Sequence, residues 1–167
     1  MFTNNWYKAL SVGVSGQYIS LIGSDGNVGS AVFDSTSVSN KIRDAFKNGV
    51  KTGYNSGSNN SSYIVLGTGN ETPTMSDYKF SGSVVSGITT TISFTGNNTN
   101  DYTEGSGIIT ITNGNSTDIT IGEIGIMYLS GTNAAMLEHT ALESPVTIPA
   151  GGIGQVTYTI RMNYPTA

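Results

Sequence analysis

The feature that most constrains the fold is a two-residue alternation of apolar side chains, the period that puts every second residue on one face of a pleated strand. Val156, Tyr158, Ile160 and Met162, preceded by Ile153, alternate with Gln155, Thr157, Thr159 and Arg161. Ile88, Thr90, Ile92 and Phe94 repeat the pattern. In Ile119, Ile121, Ile124, Ile126 and Tyr128 the phase shifts by one residue at Gly122-Glu123, which predicts a β-bulge or bend inside one long strand. Tyr63 to Leu66 and Ile109 to Ile111 read as shorter strands. Thr, Val, Ile and Tyr dominate these stretches, while the helix formers Ala and Leu are scarce.

Between the runs lie Asn/Gly/Ser clusters at Gly23 to Gly29, Asn55 to Ser62, Gly96 to Asn100 and Asn113 to Asp118. Such residues accept left-handed backbone angles or hydrogen-bond their own turn, so these are loops. Asn113-Gly114 is the strongest hairpin signal among them. One segment has a helical period: Ile42, Ala45 and Phe46 share a face, with Ser39 or Asn40 placed to cap the start and Gly49 the end. The four prolines punctuate loops or strand edges. The expectation is an all-β chain, an antiparallel β-sandwich of jelly-roll or Ig-like kind with one short helix near residues 40–48. Residues 1–15 form an N-terminal arm or first strand, and residues 16–167 a single sandwich domain.

Gly, Ser, Thr and Asn fill close to half of the 167 positions, which raises disorder as an alternative. The 37% apolar content, nine Tyr and only 11% charge do not fit a self-repelling solvated chain. No apolar run exceeds four residues, against the ~20 that span a bilayer, so no membrane partner is expected. The start of the sequence lacks the basic head and apolar run of a secretory signal. Cys is absent, removing disulfides and thiolate metal sites. A net charge of −4 and a pI near 4.7 argue against nucleic acid as a partner.

The sequence offers little catalytic chemistry. His139, beside Glu138, is the one histidine and the one candidate for a Ser-His-acid base. The nearest approach to a nucleophile elbow, Gly13-Val14-Ser15-Gly16-Gln17, fails at its last position, and a structural histidine is the simpler account. Two of the scattered carboxylates could meet as a glycosidase pair, but no spacing reports this. Asp25-Gly26-Asn27 and Asp101 to Glu104 offer oxygens to Ca²⁺ without EF-hand spacing, and turn chemistry explains both. Gly67-Thr68-Gly69 lacks the Lys and the following helix of a phosphate loop. The Asn-x-Ser/Thr sequons at Asn59, Asn70, Asn97 and Asn115 match the chance expectation in such a composition. The chain reads as a non-enzyme with no cofactor.

Two clusters suggest contact with other molecules. Trp6, Tyr7 and Lys8 form an aromatic, basic group that either tucks Trp6 into the core or anchors an arm onto a neighbouring subunit. Lys41, Arg43, Lys47 and Lys51 stand against Asp44 alone, giving either a solvated helix face or a surface for an acidic partner.

Three stretches carry a resemblance. Tyr63-Ile64-Val65-Leu66-Gly67-Thr68-Gly69 runs into Pro73-Thr74 and Asp77-Tyr78-Lys79-Phe80; Ile119 to Ile126 is an Ile/Gly strand; and Ser144-Pro145-Val146-Thr147-Ile148-Pro149-Ala150-Gly151-Gly152 leads into Val156 to Ile160. Over roughly residues 63 to 163 the chain resembles small β-sandwich structural proteins of tailed bacteriophages. The resemblance implies a non-enzymatic virion component and no particular station on the particle; the expected role is capsid decoration as a homo-oligomer contacting other capsid or tail proteins. The alternative is a tail-associated module that binds a carbohydrate or receptor through Tyr-rich loops.

Overall fold

A computed structural model describes residues 1–12, 18–32, 38–99 and 102–163. Helix α1 (Asn4–Val12) precedes the hairpin β1 (Tyr18–Ile22) and β2 (Val28–Val32); α2 (Val38–Asn48) then leads into β3 (Val50–Lys51) and β4 (Ser61–Gly67). Five long strands follow: β5 (Ile88–Asn98), β6 (Tyr102–Asn113), β7 (Ile119–Ser130), β8 (Asn133–Ile148) and β9 (Ile153–Asn163). Besides the hairpin they form two sheets, ordered β3-β4-β7-β8 and β5-β6-β9. All pairings are antiparallel except β3 on β4. The chain is an antiparallel β-sandwich.

The alternating residues predicted from sequence build the space between the sheets. Ile64, Leu66, Ile124, Ile126 and Tyr128 from the larger sheet meet Ile109, Ile111, Val156, Tyr158 and Ile160 from the smaller one in a single buried cluster. Helix α2 contributes Ile42, Ala45 and Phe46 to the same cluster. Phe46 stacks on Phe94 at 4.8 Å. The helix ends where expected: Gly49 has φ 75°, and its N–H donates to the Ala45 carbonyl at 3.1 Å.

The larger sheet departs from simple alternation. Tyr63, Val65, Met127, Leu129, Ala134 and Met136 are buried on its other face as well, beneath Tyr54 of the β3–β4 connection and Phe80 and Val84 of the long β4–β5 connection. Burial on both faces is why Tyr63 to Leu66 and Ile126 to Leu129 are continuous apolar runs. Tyr54 and Tyr63 hold this cover down. The Tyr63 hydroxyl donates to the Tyr54 carbonyl, and the Tyr54 hydroxyl accepts the Phe80 N–H at 2.7 Å.

Two expectations are corrected. Residues 4–12 are a helix, neither arm nor strand: the Thr3 carbonyl accepts the N–H groups of Trp6 and Tyr7, the Asn4 N–H donates to the Met75 carbonyl at 2.6 Å, and the Thr3 hydroxyl anchors the helix start on the Met136 carbonyl at 2.6 Å. Asn113-Gly114 is not a hairpin turn, since β6 and β7 lie in different sheets. The buried Asn113 amide instead donates to the carbonyls of Thr117, Ile148 and Pro149, fixing a crossover. Strand β8 is not legible in the sequence, since Ala134-Ala135-Met136-Leu137-Glu138-His139 favours helix locally and is overridden by pairing with β7. The expected boundary at 15–16 and the Gly13–Gln17 motif lie outside the described residues.

Candidate functional site

Two irregularities in the β7–β8 ladder place the buried charges. At the first, the register passes from Ile121↔Val146 to Glu123↔Ala141, so that residues 142–145 oppose Gly122 alone. This is the predicted phase shift at Gly122-Glu123, and it turns Glu123 under the covering connection. Gly122 must be glycine because the carbonyl of Gly69 occupies the space a Cβ would need. The second irregularity lies between Ile126↔Glu138 and Met127↔Met136. It leaves Leu137 and Glu138 both directed toward the inter-sheet core, where the Tyr158 hydroxyl donates to Glu138. His139 then falls on the covered outer face, its ring 5.4 Å from that of Phe80.

The result is a charge chain spanning the covering connection and the sheet. Asp77 Oδ2 lies 2.6 Å from His139 Nδ1, and His139 Nε2 lies 3.5 Å from Glu123 Oε1. Glu123 is fully buried and accepts the Ser81 hydroxyl, the Ser81 N–H at 3.3 Å and the Gly82 N–H at 3.4 Å. Asp77 also accepts the N–H and hydroxyl of Thr74 at 2.8 and 2.5 Å. Burial opposes ionisation of Asp77, but the bonds from Thr74 and His139 outweigh it and hold the carboxyl below its ordinary 3.8. Above the chain opens a cleft of about 380 Å³ lined by Glu71, Asp77, Tyr78, Lys79 and His139 among others.

The geometry decides what this cluster can do. A hydrolytic relay needs a hydroxyl on the histidine nitrogen opposite the acid. Here the Ser81 hydroxyl is committed to Glu123, and both imidazole nitrogens face carboxylates. Together the groups clamp the segment around Asp77 and Ser81 to the larger sheet, with His139 bonded to Asp77 through Nδ1 and its Nε2 buried without a hydrogen-bond partner among the described residues. Glu138 is a separate buried acid: burial pushes its carboxyl above the ordinary 4.5, against the Met1 amino group at 2.7 Å and the Thr140 hydroxyl at 2.6 Å. Among the described residues no three His, Cys, Asp or Glu side chains converge as metal ligands. No helix among them is long and apolar enough to cross a membrane.

The residues singled out as an interface are scattered in their environments. Trp6 is 2% exposed and stacks on Phe2 at 4.5 Å, so it belongs to the core of its own chain; an intersubunit anchor at this position is corrected. Tyr7 and Lys8 are exposed. Lys41 is buried, its Nζ 5.0 Å from the Tyr128 ring centre, which removes it from any docking surface. Arg43 and Lys47 remain exposed on α2, and Lys51 is half-buried in β3. The partners of His139, Asp77 and Glu123, and Ser81 bonded to Glu123, carry no spacing that links them in the sequence. Only the phase shift at Gly122-Glu123 marks β7 as unusual there. No family model matches the chain, and neither curated proteins nor solved structures give a match.

Proposed function

We propose that this chain is a non-enzymatic structural component of a tailed bacteriophage virion, decorating the capsid and working through subunit contacts. The observation that carries the reading is the outer face of the β5-β6-β9 sheet. Thr91, Ser93, Ser106, Thr110, Thr157 and Thr159 face outward there, with Ile108 46% exposed among them. The hydroxyls bond across strands, as in Ser106 to Thr159 at 2.8 Å. Charge enters at one end, where Arg161 pairs with Glu104 at 2.7 Å. A broad uncharged face loses less solvation on contact than a charged one, and repetition on a lattice lets weak contacts add. The clamp role of the buried acids and the phage resemblance support the same reading.

The test is cosedimentation of purified protein with expanded, undecorated heads at physiological salt. Saturable binding is expected, weakened by Ile108→Lys at the centre of the face. Failure to bind would count decisively against decoration. The tail-module reading draws on the cleft, where Tyr78 and Lys79 stand beside Glu71 and Asp77. A glycan-array signal abolished by Tyr78→Ala would favour it.

A further inference from the structure

We infer that β5 is an assembly edge, at which a second copy of this chain adds its own β5 antiparallel to extend the β5-β6-β9 sheet. The inference deepens the proposed function and rests on its premise that copies of the chain associate.

Every sheet end presents unpaired backbone N–H and C=O groups, and natural proteins blunt such edges by shortening, covering, charging or interrupting them. The other edges of this sandwich are treated in those ways. At one end of the larger sheet, β3 has two residues and carries Lys51. At the other end, residues 1–3 run beside β8: Phe2 bridges Glu138, the Thr3 N–H donates to the Leu137 carbonyl at 3.0 Å, and the His139 N–H to the Met1 carbonyl at 2.9 Å. Where that cover stops, β8 leaves its register over residues 142–145, with Glu143 and Pro145. The β9 edge of the smaller sheet carries Arg161, paired to Glu104 and set over the Tyr102 ring at 4.2 Å.

Among the described residues, strand β5 has none of these devices. Its eleven residues, Ile88 to Asn98, contain no proline and no charged side chain. Among the described residues its only ladder is with β6. It spans about 37 Å at ~3.4 Å per residue, a long and uninterrupted template.

The inward row of β5 identifies the occupant further. Ile88 and Ile92 pack against the core cluster yet are only partly buried. Phe94 lies on Phe46 but remains 38% exposed. Among the described residues the sandwich core is thus left open along this strand. A two-fold-related β5 meets the requirement, because antiparallel pairing about an inward residue sets inward residues opposite inward ones and outward hydroxyls opposite outward hydroxyls. Ile92 would face its own copy, and Phe94 would cross the partner's Thr90. With no charge on the strand, like copies meet without repulsion. A single strand pair is a modest interface, so the dimer forms with rising concentration and dissociates on dilution.

The experiment compares the full chain with Thr91→Lys/Ser93→Lys by sedimentation velocity over a wide concentration range. Both positions are exposed, so the fold should tolerate lysine there, with circular dichroism and thermal unfolding as the check. The wild type is expected to shift from monomer to dimer, and the double variant to need about tenfold higher concentration, since like charges opposed across strands repel. A wild type that stays monomeric throughout, or a double variant that dimerises as the wild type does, overturns the inference. Single-cysteine variants are the second arm, clean because the chain has no Cys. With Ile92 facing its own copy, Thr91 stands opposite the partner's Ser93, so oxidation of mixed Thr91→Cys and Ser93→Cys chains should crosslink them to each other in excess of either variant alone, and Thr157→Cys on β9 should not crosslink. No crosslink, or no excess in the mixed chains over either variant alone, overturns the pairing. Dimerisation through β5 without binding to heads would leave this edge standing and remove the decoration reading instead.

Discussion

Trp6→Ala is expected to destabilise the isolated chain by about 3–5 kcal/mol, the cost of truncating a buried tryptophan and leaving its cavity. The magnitude follows from the environment of the ring: Trp6 is 2% exposed, stacks on Phe2 with an interplanar angle of 15°, and belongs to the same buried cluster as Leu21, Ala135 and Leu137. A tryptophan buries roughly 150–250 Å², which at ~25 cal/mol per Å² gives about 4–6 kcal/mol before the retained β-carbon is subtracted. For a chain of this size the loss lowers the melting temperature by roughly 6–20 °C. The assay is urea unfolding followed by far-ultraviolet circular dichroism, with Trp6→Phe as the milder variant. Because Trp6 is the only tryptophan, wild-type emission should be blue-shifted and shielded from acrylamide. A loss below about 1 kcal/mol, a solvent-exposed emission, or a loss that vanishes on dilution would refute burial within one chain. The last of these would restore Trp6 as a contact between subunits.

Glu123→Ala leaves the hydroxyl and N–H of Ser81 and the N–H of Gly82 without their acceptor, at a cost of about 1–3 kcal/mol, and hydrogen exchange should rise first around Ser81. Gly122→Ala forces a Cβ into the Gly69 carbonyl and should cost about 1–3 kcal/mol in urea unfolding, whereas Gly131→Ala, with nothing within 4 Å but φ 65°, should cost less. Asp77 and Glu138 act on stability with opposite signs. Asp77, held below 3.8 in the folded chain, contributes stability that is present above that value and lost as pH falls through its folded pKa; Asp77→Asn should flatten this acid limb. Glu138, raised above 4.5 by burial, contributes stability that is full below 4.5 and lost as pH rises through its folded pKa. Glu138→Gln should remove that decline, and unchanged melting curves between acid and neutral pH in the wild type would refute both assignments.

Much of the sandwich is legible because one-sided strands write their burial into every second residue. β5 and β9 follow from such alternation; β7, although buried on both faces, still shows it in Ile119, Ile121, Ile124, Ile126 and Tyr128, whose change of phase marks the bulge at Gly122-Glu123. Helix α2 shows through Ile42, Ala45, Phe46 and Gly49. Strand β8 and helix α1 escape for opposite reasons. β8 has a helix-favouring sequence that takes its strand form from pairing along β7, whereas α1 is a polar and aromatic stretch whose helical signal is confined to the four-residue spacing of Phe2, Trp6 and Leu10. The Asp77, His139 and Glu123 cluster is illegible in principle. Its members come from a connection and two strands, and only two ladder irregularities and the close approach of Gly69 bring them together.

By itself, then, the sequence determined the β character, most strands, the second helix and the low charge of the faces, because each is a local matter of side-chain type and period. Only the tertiary structure decided that Trp6 and Lys41 are interior, that the lone histidine joins a clamp, and that β5 stands as an open edge. Those outcomes depend on which strands become neighbours, and neighbours distant in sequence are chosen by packing.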